Sequence, residues 1–207
     1  MTEIEYRGAN CVVIKDKKVL IVVDPTSNVS VKEAKNPDAV ILATQDKFAP
    51  SEQEANNFVI DIPGEYEHKD VSVRGAAVRA HIDESGENAT AYSIKIDNMR
   101  IAIIGHATAP IRDDDLENLG MIDIVIIPVG GGGYTLDARD AATIVRQLGP
   151  KVVIPTHFAD DHIKYEVPQE SVDEFVKEMG GVHEKVNSFK TSNMPEVITV
   201  VELARTA

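Results

Sequence analysis

Ile122-Asp-Ile-Val-Ile-Ile-Pro-Val-Gly-Gly-Gly-Gly-Tyr-Thr-Leu-Asp137 reads as a buried strand, a glycine-rich turn and the start of a helix. Residues 122–127 are almost continuously apolar over a strand's length, the pattern of a strand covered on both faces. Pro128 and the run Gly130 to Gly133 end it. Beyond them, residues 136–148 put Ala138, Ala141, Ala142, Val145 and Leu148 on one helical stripe, with Asp137 suited to cap the helix. Gly149-Pro150 closes that helix, and residues 151–154 predict the next strand.

Working outward, the half before this stretch is dominated by short β-rich runs. Residues 10–15 and 18–23 flank Asp16-Lys17 as a hairpin, and Asp24-Pro25 ends its second strand because proline cannot continue a ladder. Residues 39–43 are another apolar run. Strands are predicted over 57–61 and 71–80, around a turn at Pro63-Gly64, and over 89–96 and 100–104, joined at Asp97-Asn98. Asp113-Asp-Asp115 opens a short helix with its acids at the positive end of the dipole. On the far side, residues 169–179 predict an amphipathic helix and 196–203 a final strand. β-Meanders followed by strand–helix alternation predict an α+β protein, two packed sheets with helices outside, built as one domain over 1–207.

Composition narrows the function classes. A chain of 207 residues, 43% hydrophobic and 27% charged, suits a soluble globular protein. Its net charge of −13 argues against holding nucleic acid through phosphates. Cys11 is the only cysteine, so neither an intrachain disulfide nor a thiolate metal cluster can form. The start lacks the pattern of a secretory signal, and no apolar run approaches the ~20 residues of a membrane helix. A cytoplasmic location is expected by default, with neither membrane nor nucleic acid as a partner.

Several segments together resemble the metallo-β-lactamase superfamily, and within it a bacterial lactonase-like branch. They are Tyr6-Arg-Gly-Ala-Asn-Cys-Val-Val-Ile14 with Val22-Val-Asp-Pro25, then Pro63-Gly-Glu-Tyr-Glu67, then residues 127–137, and finally Val153-Ile-Pro-Thr-His157. The resemblance implies a four-layer αββα sandwich with its chemistry on loops at one edge. The family's Thr-His-x-His-x-Asp-His motif falls on Thr44-Gln-Asp-Lys-Phe-Ala-Pro50. Gln45 and Lys47 stand in place of two histidines, and Ala49 and Pro50 in place of the aspartate and third histidine. Zinc wants imidazole and carboxylate donors, so an ordinary binuclear centre cannot be assembled from these residues.

The later motifs keep donors. By the resemblance, His81 and His157 match two family histidines, and His106 replaces the aspartate that bridges two metals. Those three imidazoles are the candidate ligands of one Zn²⁺ or other divalent metal; the alternative is that they bind none and are hydrogen-bonded relics. Gln45, Asp46, Lys47, Glu65 and Tyr66 are the candidate pocket, and no catalytic residue is assigned. The glycine run lacks the Gly-Lys-Ser/Thr ending of a phosphate loop and reads as backbone passing close to the pocket. Asp160, Asp161 and His162 are expected on an exposed loop, His68 and His183 on the surface, and Cys11 buried. Three functions stay open. The first is a hydrolase with a reduced, mononuclear site acting on a small ester, lactone or phosphoester. The others are a non-catalytic pseudoenzyme binding an anionic small molecule at Lys47, and a module contacting a protein partner. A homo-oligomer also stays open.

Overall fold

The computed structural model describes residues 1–25, 29, 31–50, 57–80 and 88–206. The first sheet holds β1 (Glu3–Gly8), β2 (Cys11–Lys15), β3 (Leu20–Val23), β4 (Ala39–Leu42) and β5 (Phe58–Ile60) in sequence order, with β13 (Phe189–Lys190) beyond β1. Strands β1 to β3 run antiparallel, whereas β3, β4 and β5 are parallel. The second sheet starts as an antiparallel meander of β6 (Gly64–His68), β7 (Val71–Arg79), β8 (Asn88–Ile96) and β9 (Met99–Ile103). It continues in parallel through β10 (Ile124–Pro128), β11 (Val152–Thr156), β14 (Thr199–Leu203) and β12 (Val182–Val186). The helices are α1 (Asp113–Leu119), α2 (Ala138–Leu148) and α3 (Val172–Met179).

Strand β10 explains the layering. Its Ile124 and Ile126 join Ile14, Ile21 and Leu42 in the core between the sheets, while Val125 and Ile127 pack with Leu119, Ala141, Val145 and Phe175 under the helices. A strand buried on both faces needs that unbroken apolar run. The outer face of the first sheet buries Cys11, Val13, Val22 and Ile41 beneath Val31. Among the described residues, the 3-10 turn Lys32–Lys35 lies against this face beside β3 and β4.

Most predicted elements form within a residue or two of their expected limits. Asp137 caps α2 by accepting the Asp140 amide at 2.8 Å, and Gly149 closes it at φ 59°. The differences are these. The run after Pro63 is strand β6 rather than a turn alone, and β1, β12 and β13 were not expected. Helix α3 begins at Val172 rather than 169, and β14 at Thr199 rather than 196.

Candidate functional site

The pocket is assembled where β3, β4, β9 and β11 end. Asp24, fully buried at φ 44°, accepts both the backbone amide and the hydroxyl of Thr44, each at 2.7 Å. Gly105 has φ 61°, and a Cβ there would lie 2.3 Å from the Thr44 side chain, so only glycine lets the end of β9 bring His106 against this loop. His106 is buried, with Phe48 stacked on its ring at 4.3 Å.

Several polar groups converge on His106 Nδ1. Asn10 Oδ1 accepts from Thr156 Oγ1 at 2.9 Å, and Asn10 Nδ2 lies 3.0 Å from the ring nitrogen. Thr44 gives its hydroxyl proton to Asp24, and its oxygen is 3.3 Å from the same nitrogen. The Asp24 carboxylate lies 3.6 Å away, so Nδ1 is the edge by which the ring is held.

His157 follows β11 in the left-handed region, at φ 51°, with its amide donating to Ala9 O at 2.8 Å. Its Nδ1 lies 2.9 Å from Gln169 Oε1, and Gln169 Nε2 donates to Val167 O at 3.0 Å. That second bond orients the amide, so its oxygen accepts from His157 Nδ1–H and Nε2 keeps a lone pair. Burial first, and then His106, push the His157 pKa down to about 4. The two rings meet edge to face with centroids 5.2 Å apart, and Tyr165 packs 5.1 Å from His157. This contact to Gln169 also explains the late start of α3, because residue 169 is drawn toward the pocket.

Lys47 lies at the exposed edge of the site. Its ammonium donates to Tyr134 Oη at 3.4 Å and sits 5.1 Å from the Phe48 ring centroid and 4.9 Å from that of Tyr134. The Tyr134 hydroxyl donates to the Glu166 carboxylate. Thr44, Gln45, Asp46, Lys47, Asp61 and Ile62 line a cavity of about 520 Å³.

The candidate residues are therefore only partly gathered. Gln45, Asp46 and Lys47 share one cavity, with His106 and His157 beside them. Glu65 and Tyr66 stand apart on β6: Glu65 pairs with Arg74 at 2.8 Å rather than with Lys47, and Tyr66 donates to Ile62 O at 3.0 Å. His81 lies outside the described residues, though its neighbour Ala80 pairs with Ala107, next to His106. His162 is held by Asp160 on the exposed loop, and Cys11 is buried with its thiol pKa raised by that burial. His183 is a correction: it is partly buried and lies 2.9 Å from the Glu202 carboxylate. The residues overlooked in the sequence are Asn10, Asp24, Phe48, Tyr134, Glu166 and Gln169. None of their spacings signals a site.

The donor set limits the metal. Among the described residues no three His, Cys, Asp or Glu side chains gather as a ligand group, and the Asp24 carboxylate is engaged by Thr44. Among the described residues the donors here are two imidazoles, too few for a binuclear centre. His106 and His157, each held at Nδ1 by neighbouring groups, are the residues that would hold a single metal.

Comparison with known proteins agrees with the fold. The family model for the beta-lactamase superfamily domain matches residues 3–157. Over 73 residues the chain is 38% identical to a metal-dependent hydrolase of Pyrococcus furiosus and 36% identical to one of Pyrococcus horikoshii. These matches cover 34% of this chain and 32% of each relative, so about a third of the length of the curated relatives is spanned. In structure the chain is similar to a Thermotoga maritima protein assigned as a Zn-dependent hydrolase of the metallo-beta-lactamase superfamily, with TM-score 0.75, 23% identity and 98% of each chain covered. It is also similar to a metallo hydrolase of Ignicoccus hospitalis, with TM-score 0.57, 17% identity, and 86% and 90% of the two chains covered. No helix among the described residues is long and apolar enough to cross a membrane. With the family model covering both hairpins, the 44–50 loop and the strand leading to His157, the chain belongs to the metallo-β-lactamase superfamily.

Proposed function

We propose that this protein is a hydrolase of the metallo-β-lactamase fold reduced to one divalent metal, acting on a small ester, lactone or phosphoester. The observation that carries this reading is the pair of imidazoles, His106 and His157, each held at Nδ1 by neighbouring groups and meeting edge to face. His81 is the proposed third ligand. Such a metal, when bound, supplies a Lewis acid that brings the pKa of water toward neutrality. The chain's own residues prepare the place. Gln169 orients the His157 ring, Asn10 and Thr44 hold that of His106, burial keeps His157 neutral near pH 7, and Phe48 stacks on the His106 ring. Elemental analysis of protein purified without a histidine tag, before and after dialysis against chelator, tests it. About one equivalent of metal, lost in His106→Ala and His157→Ala, is expected for a three-histidine site. Less than about a tenth of an equivalent, unmoved by added metal, sinks the hydrolase reading.

A second reading is favoured by Lys47, whose ammonium stands at the cavity where the family motif has a histidine. In it the protein is a non-catalytic pseudoenzyme that binds an anionic small molecule. A rise in melting temperature on ligand addition, unchanged by chelator, distinguishes it from the first.

A further inference from the structure

We infer that the Glu166 carboxylate, by taking the Tyr134 hydroxyl, competes with a ligand's anionic group for an anion seat that this hydroxyl and the Lys47 ammonium make together. This deepens the second reading and rests on it. Three separate segments meet here: Lys47 comes from the turn Asp46–Phe48, Tyr134 from the glycine run after β10, and Glu166 from the loop between β11 and α3. The seat therefore depends on the fold and not on a local sequence pattern.

The chemistry makes the two occupants exclusive. A tyrosine hydroxyl has one proton, and here it goes to Glu166. A ligand carboxylate or phosphate held by both Lys47 and Tyr134 must take that proton from Glu166. Glu166 is exposed, so it can swing into water without leaving a buried charge behind. Its departure need not disturb the histidines. The loop is tied separately by Ala159 N to Glu170 O at 2.9 Å, by Glu170 N to Gly130 O at 2.7 Å and by Gln169 on His157. In a chain of net charge −13, a retained lysine–tyrosine pair beside the cavity is a local exception that suits an anion, and the protein's own carboxylate marks the position and polarity of the group it would take.

Nuclear magnetic resonance titration of the intact chain at constant ionic strength tests this, with inorganic phosphate and, separately, acetate as probes. The signals followed are the Tyr134 ring and Lys47 Nζ. Glu166→Gln is expected to bind at least one probe roughly fivefold or more tighter than wild type, the gain from removing a competing charge at the seat. Which probe gains more separates phosphate from carboxylate ligands. Asp161→Asn makes the same charge change on an exposed neighbour and should leave binding nearly unchanged. Tyr134→Phe should erase the advantage of Glu166→Gln, and Lys47→Met should abolish binding in both backgrounds. Glu166→Gln binding no tighter than Asp161→Asn, while Lys47-dependent binding persists, overturns the inference and leaves the second reading standing. No Lys47-dependent binding of either probe in any variant overturns both.

Discussion

His157 combines an uncommon backbone conformation with an uncommon proton affinity. Its φ of 51° costs on the order of 1 kcal/mol for a non-glycine residue, and the bonds to Ala9 and Gln169 over-determine it. Because burial depresses its folded pKa to about 4, the unfolded chain takes up a proton near the ordinary value of about 6.5 that the folded chain refuses. The stabilisation is therefore complete above about pH 6.5 and is lost as pH falls toward 4, by up to about 1.4 kcal/mol per pH unit. Urea unfolding of metal-free protein across this window should show a steeper loss for wild type than for His157→Gln. Equal slopes would mean that His157 is protonated in the folded state. Among the site's residues, His106 and His157 were legible because they stand at family positions after strands. Gln169 was not, because at 12 positions along from His157 its glutamine carries no pattern, and it directly precedes an amphipathic stretch that absorbs it into a helix.

At the level of elements, the turn from β10 to α2 is shaped by what passes beside it. A Cβ on Gly130 would lie 2.0 Å from His157 O and 2.5 Å from Gln169 Oε1. The first of these is backbone at the end of β11 and cannot yield cheaply. Gly130→Ala should therefore cost roughly 2–4 kcal/mol, the range of a steric insertion that must move packed backbone. It should also release the Gln169 contact, which favours the protonated ring, read as a further fall of the His157 pKa. A loss under ~0.5 kcal/mol would show that the turn relaxes freely. The glycine run was rightly legible as close backbone passage, because glycines without a phosphate-loop ending have few other uses. Strand β12 was not legible: Val-His-Glu-Lys-Val is exposed or half-buried throughout, so an edge strand of that kind leaves only a weak apolar signal. Strand β6 was hidden for the same reason.

For the whole molecule, the contact between the two sheets decides stability. Tyr92 on β8 of the second sheet is fully buried, and its hydroxyl reaches Ala43 O at 2.8 Å and Ile60 O at 3.2 Å, both at the edge of the first. Tyr92→Phe takes the hydroxyl donor from Ala43 O, while Ile60 O keeps the Ala43 amide at 2.9 Å, and should cost about 1–3 kcal/mol. Hydrogen exchange should show the loss shared by strands of both sheets, whereas protection falling in one sheet alone would mean that they open independently. The sandwich itself was legible because apolar runs such as 39–43 and 122–127 have no polar face to give to water. What covers the outer face of the first sheet was not, since the apolar character of Val13 and Ile41 says nothing about their partners.

Strand β14 sits inside the second sheet, between β11 and β12, although it follows both along the chain. Until it is in place, the edges of β11 and β12 that it joins are unpaired, and Val200 and Val201 cannot fill either face. Closure of the parallel half of this sheet therefore waits on residues 199–203, and a chain caught before that step presents an open, apolar edge to its neighbours.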